Sequence, residues 1–174
     1  LGDVYKRQRF IAGNHDYWVL DFMKKKLMNH TYFDDTTFSL RGKNFYITHG
    51  DGVLSWDYGY RILKKIIRSP FFIWCFRLLH PTLAYKIARK VSRTENHPEL
   101  PKEVREKIRN ELKKYALTHF QKGFDYMVCG HYHLNEIIDV EKGKLAVLGD
   151  WQDDPSYAVF DGKELTLHQW ENDA

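Results

Sequence analysis

The sequence predicts an α/β fold, on three observations. Short apolar runs, Phe10-Ile11-Ala12, Phe45-Tyr46-Ile47-Thr48 and Tyr126-Met127-Val128-Cys129, read as strands and alternate with segments of helical periodicity. Each run is followed at once by polar residues able to ligate metals or move protons: Gly13-Asn14-His15-Asp16, His49-Gly50-Asp51 and Gly130-His131-Tyr132-His133. Side chains at the carboxyl ends of strands converge in an open α/β sheet.

The elements follow in order. A strand ends at Ala12. Phe22, Met23 and Leu27 recur at helical spacing and predict a helix over Trp18–Met28. Thr36–Leu40 and Asn44–Thr48 read as two strands turning at Arg41-Gly42-Lys43, before a glycine-rich loop from Gly50 to Gly59. Three helical pieces, Tyr58–Ile67, Phe71–Leu79 and Leu83–Val91, are punctuated by Pro70 and Pro81. After a polar linker, Pro101–Phe120 forms a longer helix with charged pairs such as Glu103–Lys107. The tail returns to strands at Asp125–Cys129, Glu136–Val140, Lys144–Leu148, Tyr157–Phe160 and Leu165–His168. Gly143 and Asp161-Gly162 are predicted hairpin turns. No repeat or low-complexity segment appears.

The chain of 174 residues, 43% hydrophobic, suffices for one domain with its own core. Cys75 and Cys129 sit in apolar runs and read as buried free thiols, which fits a reducing cytosol. The longest apolar run, Pro70–Leu79, is too short to span a bilayer. The net charge of +4 hides an asymmetry. From Tyr58 to Thr94 there is no acid, but there are nine cations: Arg61, Lys64, Lys65, Arg68, Arg77, Lys86, Arg89, Lys90 and Arg93. Interleaved aromatics (Phe71, Phe72, Trp74, Phe76) give amphipathic helices suited to an anionic membrane face, to a diphosphate with acyl chains, or to packing as a cap with a solvated basic face. A nucleic-acid-binding module would also be basic. It would leave the histidine motifs unexplained, so nucleic acid is not an expected partner.

Asn oxygen and neutral imidazole suit a divalent transition metal, and histidine changes charge near neutral pH. Asn14 can instead cap the following helix. His30, His80, His97, His119 and His168 belong to no motif and read as surface or core residues.

The three motifs in this order resemble the second half of the calcineurin-like metallophosphoesterase superfamily. That resemblance implies an incomplete β-sandwich flanked by helices, with a helical insertion (lid) over 58–120. The fold normally begins with strands ending in Asp-x-His and Gly-Asp-x-x-Asp, which supply an aspartate bridging two metals; neither occurs here. Gly2-Asp3 is no substitute, because only Val4–Gln8 separate it from the first strand and a parallel crossover needs about a dozen residues. Residues 1–8 read as adapter-derived sequence, and 9–174 as the carboxyl-terminal portion of one domain, expected to be inactive alone. By resemblance, Asn14, His49 and His131 share one metal and His133 binds the other. His15 sits beside the phosphate and donates to the leaving oxygen, and Asp16 orients His15, caps the next helix, or both. Two divalent ions, commonly manganese, are implied.

His49-Gly50-Asp51-Gly52, the basic insertion, Gly-His-x-His, Leu148-Gly149-Asp150-Trp151 and Ser156-Tyr157-Ala158-Val159-Phe160-Asp161-Gly162 further resemble the UDP-2,3-diacylglucosamine diphosphatase family of lipid A biosynthesis, in its Bacteroidetes-type form. The likeness runs over about Arg9–Leu167. It implies a nucleotide-lipid substrate, cleaved to UMP and lipid X by a cytoplasmic enzyme peripheral on the inner membrane. The best-known branch has Arg where His15 stands, and its substrate contacts do not map onto Ser92–Lys107. Alternatives are another phosphodiesterase or nucleotide phosphatase of the superfamily, and a non-catalytic binding module.

Overall fold

The computed structural model describes residues 8–14, 16, 20–28, 30–92 and 100–170. Its centre is a mixed five-stranded sheet. β3 (Thr36–Leu40) and β4 (Lys43–Thr48) form a hairpin; β5 (Tyr126–Cys129) lies parallel to β4; β7 (Gly143–Val147) lies parallel to β5; and β6 (Glu136–Val140) closes the far edge, antiparallel to β7. Two further pairs stand apart from this hydrogen-bonded order. β1 (Arg9–Ile11) runs parallel to β2 (His30–Tyr32), and β8 (Ser156–Phe160) antiparallel to β9 (Leu165–Gln169).

Alternation along the central strands builds two cores. Met127, Cys129, Leu145 and Val147 face the long helix α5 (Lys102–Phe120), meeting its buried Ile108, Leu112 and Ala116. Phe45, Tyr126 and Ala146 face the β8–β9 hairpin, where Leu165, Ala158 and Phe160 cover them. The result is helix, sheet and hairpin in three layers. Between β4 and β5 the chain also forms α2 (Tyr58–Ile67), α3 (Pro70–Arg77) and α4 (Pro81–Ser92). Asp57 caps α2 through Tyr60 N, and Ser69 caps α3 through Phe72 N with Pro70 at its first turn.

Several boundaries depart from the sequence expectation. Of the predicted Trp18–Met28 helix, the described part is α1 (Leu20–Phe22), widening into a π-turn over Met23–Leu27 closed by Met28 N on Met23 O at 2.8 Å. β2 was not anticipated, because three residues carry no readable period and only pairing with β1 makes them a strand. The β6–β7 turn lies at Glu141-Lys142, with Glu141 at φ 50°, rather than at Gly143. Gly143 begins β7, where a side chain would meet the Phe120 ring at 2.6 Å. Cys129 is buried and Cys75 half-buried, both free, and burial pushes the Cys129 thiol up to about 12. Among the described residues no helix is long and apolar enough to cross a membrane.

His119, assigned to no motif, is buried near the carboxyl end of α5, stacked 3.8 Å from the Tyr46 ring and edge-on to Tyr115. Burial, then Lys122, hold its pKa below the ordinary value of 6.5. The unfolded chain therefore takes up a proton as pH falls through the ordinary value while the fold resists. Stability is full above that pH and declines below it. In urea titrations from pH 7.5 down to pH 5, about the window for histidine, His119→Phe should lose less stability than wild type. Equal losses would assign the acid sensitivity elsewhere.

Candidate functional site

The site forms where the strand ends converge. β4, β5 and β7 are parallel in register, so the loops after Thr48, Cys129 and Val147 emerge on one side. β1 approaches from its own pair. Gly13 fits between Asp16 and His49; a Cβ there would lie 3.1 Å from each. Asp16 folds back to accept from Gly13 N at 2.8 Å. Beyond it, His49 Nε2 lies 2.9 Å from the Asn14 amide oxygen, and the His49 and His131 rings lie 5.1 Å apart.

The backbone at His131 and His133 is not extended. His131, His133 and Asn135 all adopt left-handed conformations, at φ 64°, 49° and 50°. The loop is held by α5, whose Arg105 donates to Leu134 O and whose Arg109 pairs with Glu136. The two histidines nevertheless line one cavity of about 830 Å³ with Asp150, Lys102, Arg105 and Leu134. His133 Nδ1 lies 3.2 Å from Asp150 Oδ2.

Burial lowers the His49 pKa, and burial with His49 nearby lowers that of His131 to about 4. Both imidazoles are therefore neutral at physiological pH, with lone pairs to offer. Among the described residues no three His, Cys, Asp or Glu side chains are close enough to hold a metal by themselves. The Asn14 oxygen could serve as a third donor, since an amide oxygen with two neutral imidazoles fits a borderline divalent cation. The set carries no charge of its own. His133 and the Asp150 carboxylate lie in contact on the wall of the neighbouring cavity.

Under this cluster lies a buried ion group. Asp51 is 6% exposed. Its carboxylate meets Lys64 Nζ at 3.0 Å and Arg68 Nη2 at 3.1 Å, and accepts from Tyr60 Oη at 3.0 Å. Lys64 also donates to Asp51 O at 2.7 Å, and Arg68 to Asp34 at 3.2 Å. Tyr60 in turn lies 5.8 Å from the His131 ring.

A UDP-2,3-diacylglucosamine hydrolase of Porphyromonas gingivalis is 32% identical to this sequence over 190 aligned residues, covering 99% of the chain and 72% of the relative. The chain belongs to the UDP-2,3-diacylglucosamine hydrolase family. Two further hydrolases of that name, from strains of Pseudomonas putida, are 28% and 30% identical, covering 80% and 68% of the chain. Of those two relatives' own lengths, the chain spans 59% and 50%. No protein-family profile matches.

Of the residues singled out in this member of the hydrolase family, Asn14, His49 and His131 come together, Asp16 lies against the same loop, and His133 stands across the cavity beside Asp150. His15 lies outside the described residues. Two participants stood in the quoted strings without an assigned role: Asp51 in His49-Gly50-Asp51 and Asp150 in Leu148-Gly149-Asp150-Trp151. Each is given its partners by elements remote in sequence. The cations of the basic insertion do not all face solvent. Arg61 turns inward to Ser55 O and stacks over Tyr58, Lys64 and Arg68 bind Asp51, and Arg77 pairs with Asp21.

Deleting the Asp51 carboxylate leaves two cations short of their partner, which typically costs about 3–5 kcal/mol for a buried pair. Asp51→Ala should therefore lower the urea midpoint far more than Asp150→Ala. Similar midpoints for the two variants would show that solvent compensates Lys64 and Arg68.

Proposed function

We propose that this chain carries a metal-dependent pyrophosphohydrolase centre acting on UDP-2,3-diacylglucosamine, releasing UMP and lipid X, on a calcineurin-like fold. The observation that carries the reading is the convergence of Asn14, His49 and His131 from the ends of β1, β4 and β5, in a chain whose relatives bear that hydrolase name. Divalent ions, manganese foremost, would supply the Lewis acidity that activates water and neutralises phosphoryl oxygens. Asn14, His49 and His131 would hold one ion and His133 contributes to another. Lys102 and Arg105, on the cavity wall, suit the diphosphate, and Leu100, Ile108 and Leu134 line an apolar side for the lipid. His15 is assigned proton donation to the leaving oxygen, with Asp16 on the same loop.

In the purified protein supplied with manganese, Ala at Asn14, His49, His131 or His133 should lower manganese content and rate together. His15→Ala should lower rate and keep most of the metal. Product analysis by phosphorus NMR should show UMP and lipid X. Release of inorganic phosphate alone would overturn the substrate assignment, and full metal content in His131→Ala would overturn the ligand assignment.

The same reading places the insertion on the membrane surface where such a lipid resides. Ile62, Phe71, Trp74 and Leu78 are each at least 60% exposed, and Lys65, Lys86, Arg89 and Lys90 are exposed on the same helices. Apolar and cationic side chains without acids suit an anionic bilayer. Each such lysine is worth about 1 kcal/mol near an anionic surface, so charge reversal at Lys65, Lys86 and Lys90 should abolish sedimentation with phosphatidylglycerol vesicles. Undiminished sedimentation would make the helices a packed cap only.

A further inference from the structure

We propose that Asp150 is the positioning residue of His133, fixing its imidazole so that Nε2 is the nitrogen offered to the cavity; this rests on the reading of His133 as a metal ligand.

The Asp150 carboxylate is itself held. Oδ1 accepts from Gln152 N at 2.8 Å, which leaves Oδ2 toward His133 Nδ1 at 3.2 Å. An ionised carboxylate only accepts, so a ring nitrogen at this distance is favoured as N–H. The proton then resides on Nδ1 and the lone pair on Nε2. Among the described residues Asp150 is the group in contact with a His133 ring nitrogen, and the His133 backbone is left-handed at φ 49°.

The loop bearing Asp150 is built to keep it there. Leu148 N bonds Cys129 O at 2.8 Å, extending the β5–β7 pairing to the edge of the site. Gly149 N donates to Ser156 Oγ at 2.7 Å, and a Cβ on Gly149 would stand 2.1 Å from Asp154 O, so the loop closes only around glycine. Asp154 N returns to Asp150 O at 2.8 Å. The Asp154 side chain accepts from Asn135 Nδ2 at 2.7 Å and from Gln169, binding the Asp150 loop to the His133 loop and to the end of β9. Carboxylates that orient metal-ligating imidazoles in this way are worth about 10–100-fold in metal affinity.

Nitrogen-15 NMR of the labelled chain without metal tests the orientation at about pH 8, where an ordinary histidine is neutral. The His133 signals are assigned with His133→Gln. Wild type should show His133 as the Nδ1–H tautomer, and Asp150→Ala should shift it toward the mixture of a free imidazole. Asp150→Leu, of similar size but with no acceptor, provides a second variant should Asp150→Ala unfold, and melting temperatures check both. An Nε2–H tautomer in wild type, or an unchanged tautomer in a folded variant, overturns the proposal. Calorimetric titration with Mn²⁺ reads the consequence: about a 10–100-fold loss of affinity in Asp150→Ala is expected, with partial recovery in Asp150→Glu. Equal affinity in wild type and Asp150→Ala overturns the positioning role. Failure of wild type itself to bind Mn²⁺ counts against the metal-ligand reading, while the tautomer result still decides the orientation.

Discussion

The carboxylate of Asp51 is the junction on which the arrangement of the site depends. It sits one turn beyond His49, and its partners Tyr60, Lys64 and Arg68 all belong to α2 or its end. Through Arg68 the contact continues to Asp34, between β2 and β3. This matters because β1 and β2 share no strand hydrogen bonds with the five-stranded sheet. The small pair must be brought to the large one by side chains: Arg68 on Asp34, Arg9 over Phe38, Ile73 against Ala12 and Phe10, and His49 on Asn14. Asp51 ties the helix at the centre of that bridge to the loop that carries His49. One buried charge thereby fixes both the seating of the insertion and the approach of Asn14.

Above that junction, electrostatics and backbone geometry act together. Desolvation keeps His49 and His131 neutral, and neutrality is what a ligand nitrogen requires. The left-handed residues of the Gly-His-Tyr-His segment are each held away from the ordinary backbone wells, at a cost on the order of 1–3 kcal/mol. α5 offsets that cost with Arg105 on Leu134 O and Arg109 on Glu136, while its apolar face is buried against Met127, Leu145 and Val147. The helix that completes the core therefore also shapes the cavity wall.

The insertion divides its cations by role. Arg61, Lys64 and Arg68 turn inward and serve the loop after β4, while Lys65, Lys86, Arg89 and Lys90 face outward among exposed aromatic and aliphatic side chains. Amphipathic periodicity gives both sets the same appearance in one dimension. The acids that claim the inward set lie on other elements, and their positions decide which cations remain for a surface.

The sequence by itself determined the α/β class, the order of the helices after Gly50, and the three histidine-bearing strings at strand ends. These rest on local causes: alternation, helical spacing, proline punctuation and strand length. Helix α2 and strand β6 have their predicted limits for that reason. Tertiary structure alone decided the rest. β2 exists only because β1 pairs with it, and α1 widens into a π-turn that no propensity specifies. The left-handed turns at His131 and His133 depend on α5 holding the loop from outside. Asp51 and Asp150 gain their significance from Lys64 and Arg68 in one case and from His133 in the other, brought close by helix packing and by the parallel register of β5 and β7. Burial and partnership are properties of the assembled surfaces, and a carboxylate in a loop shows neither until those surfaces meet.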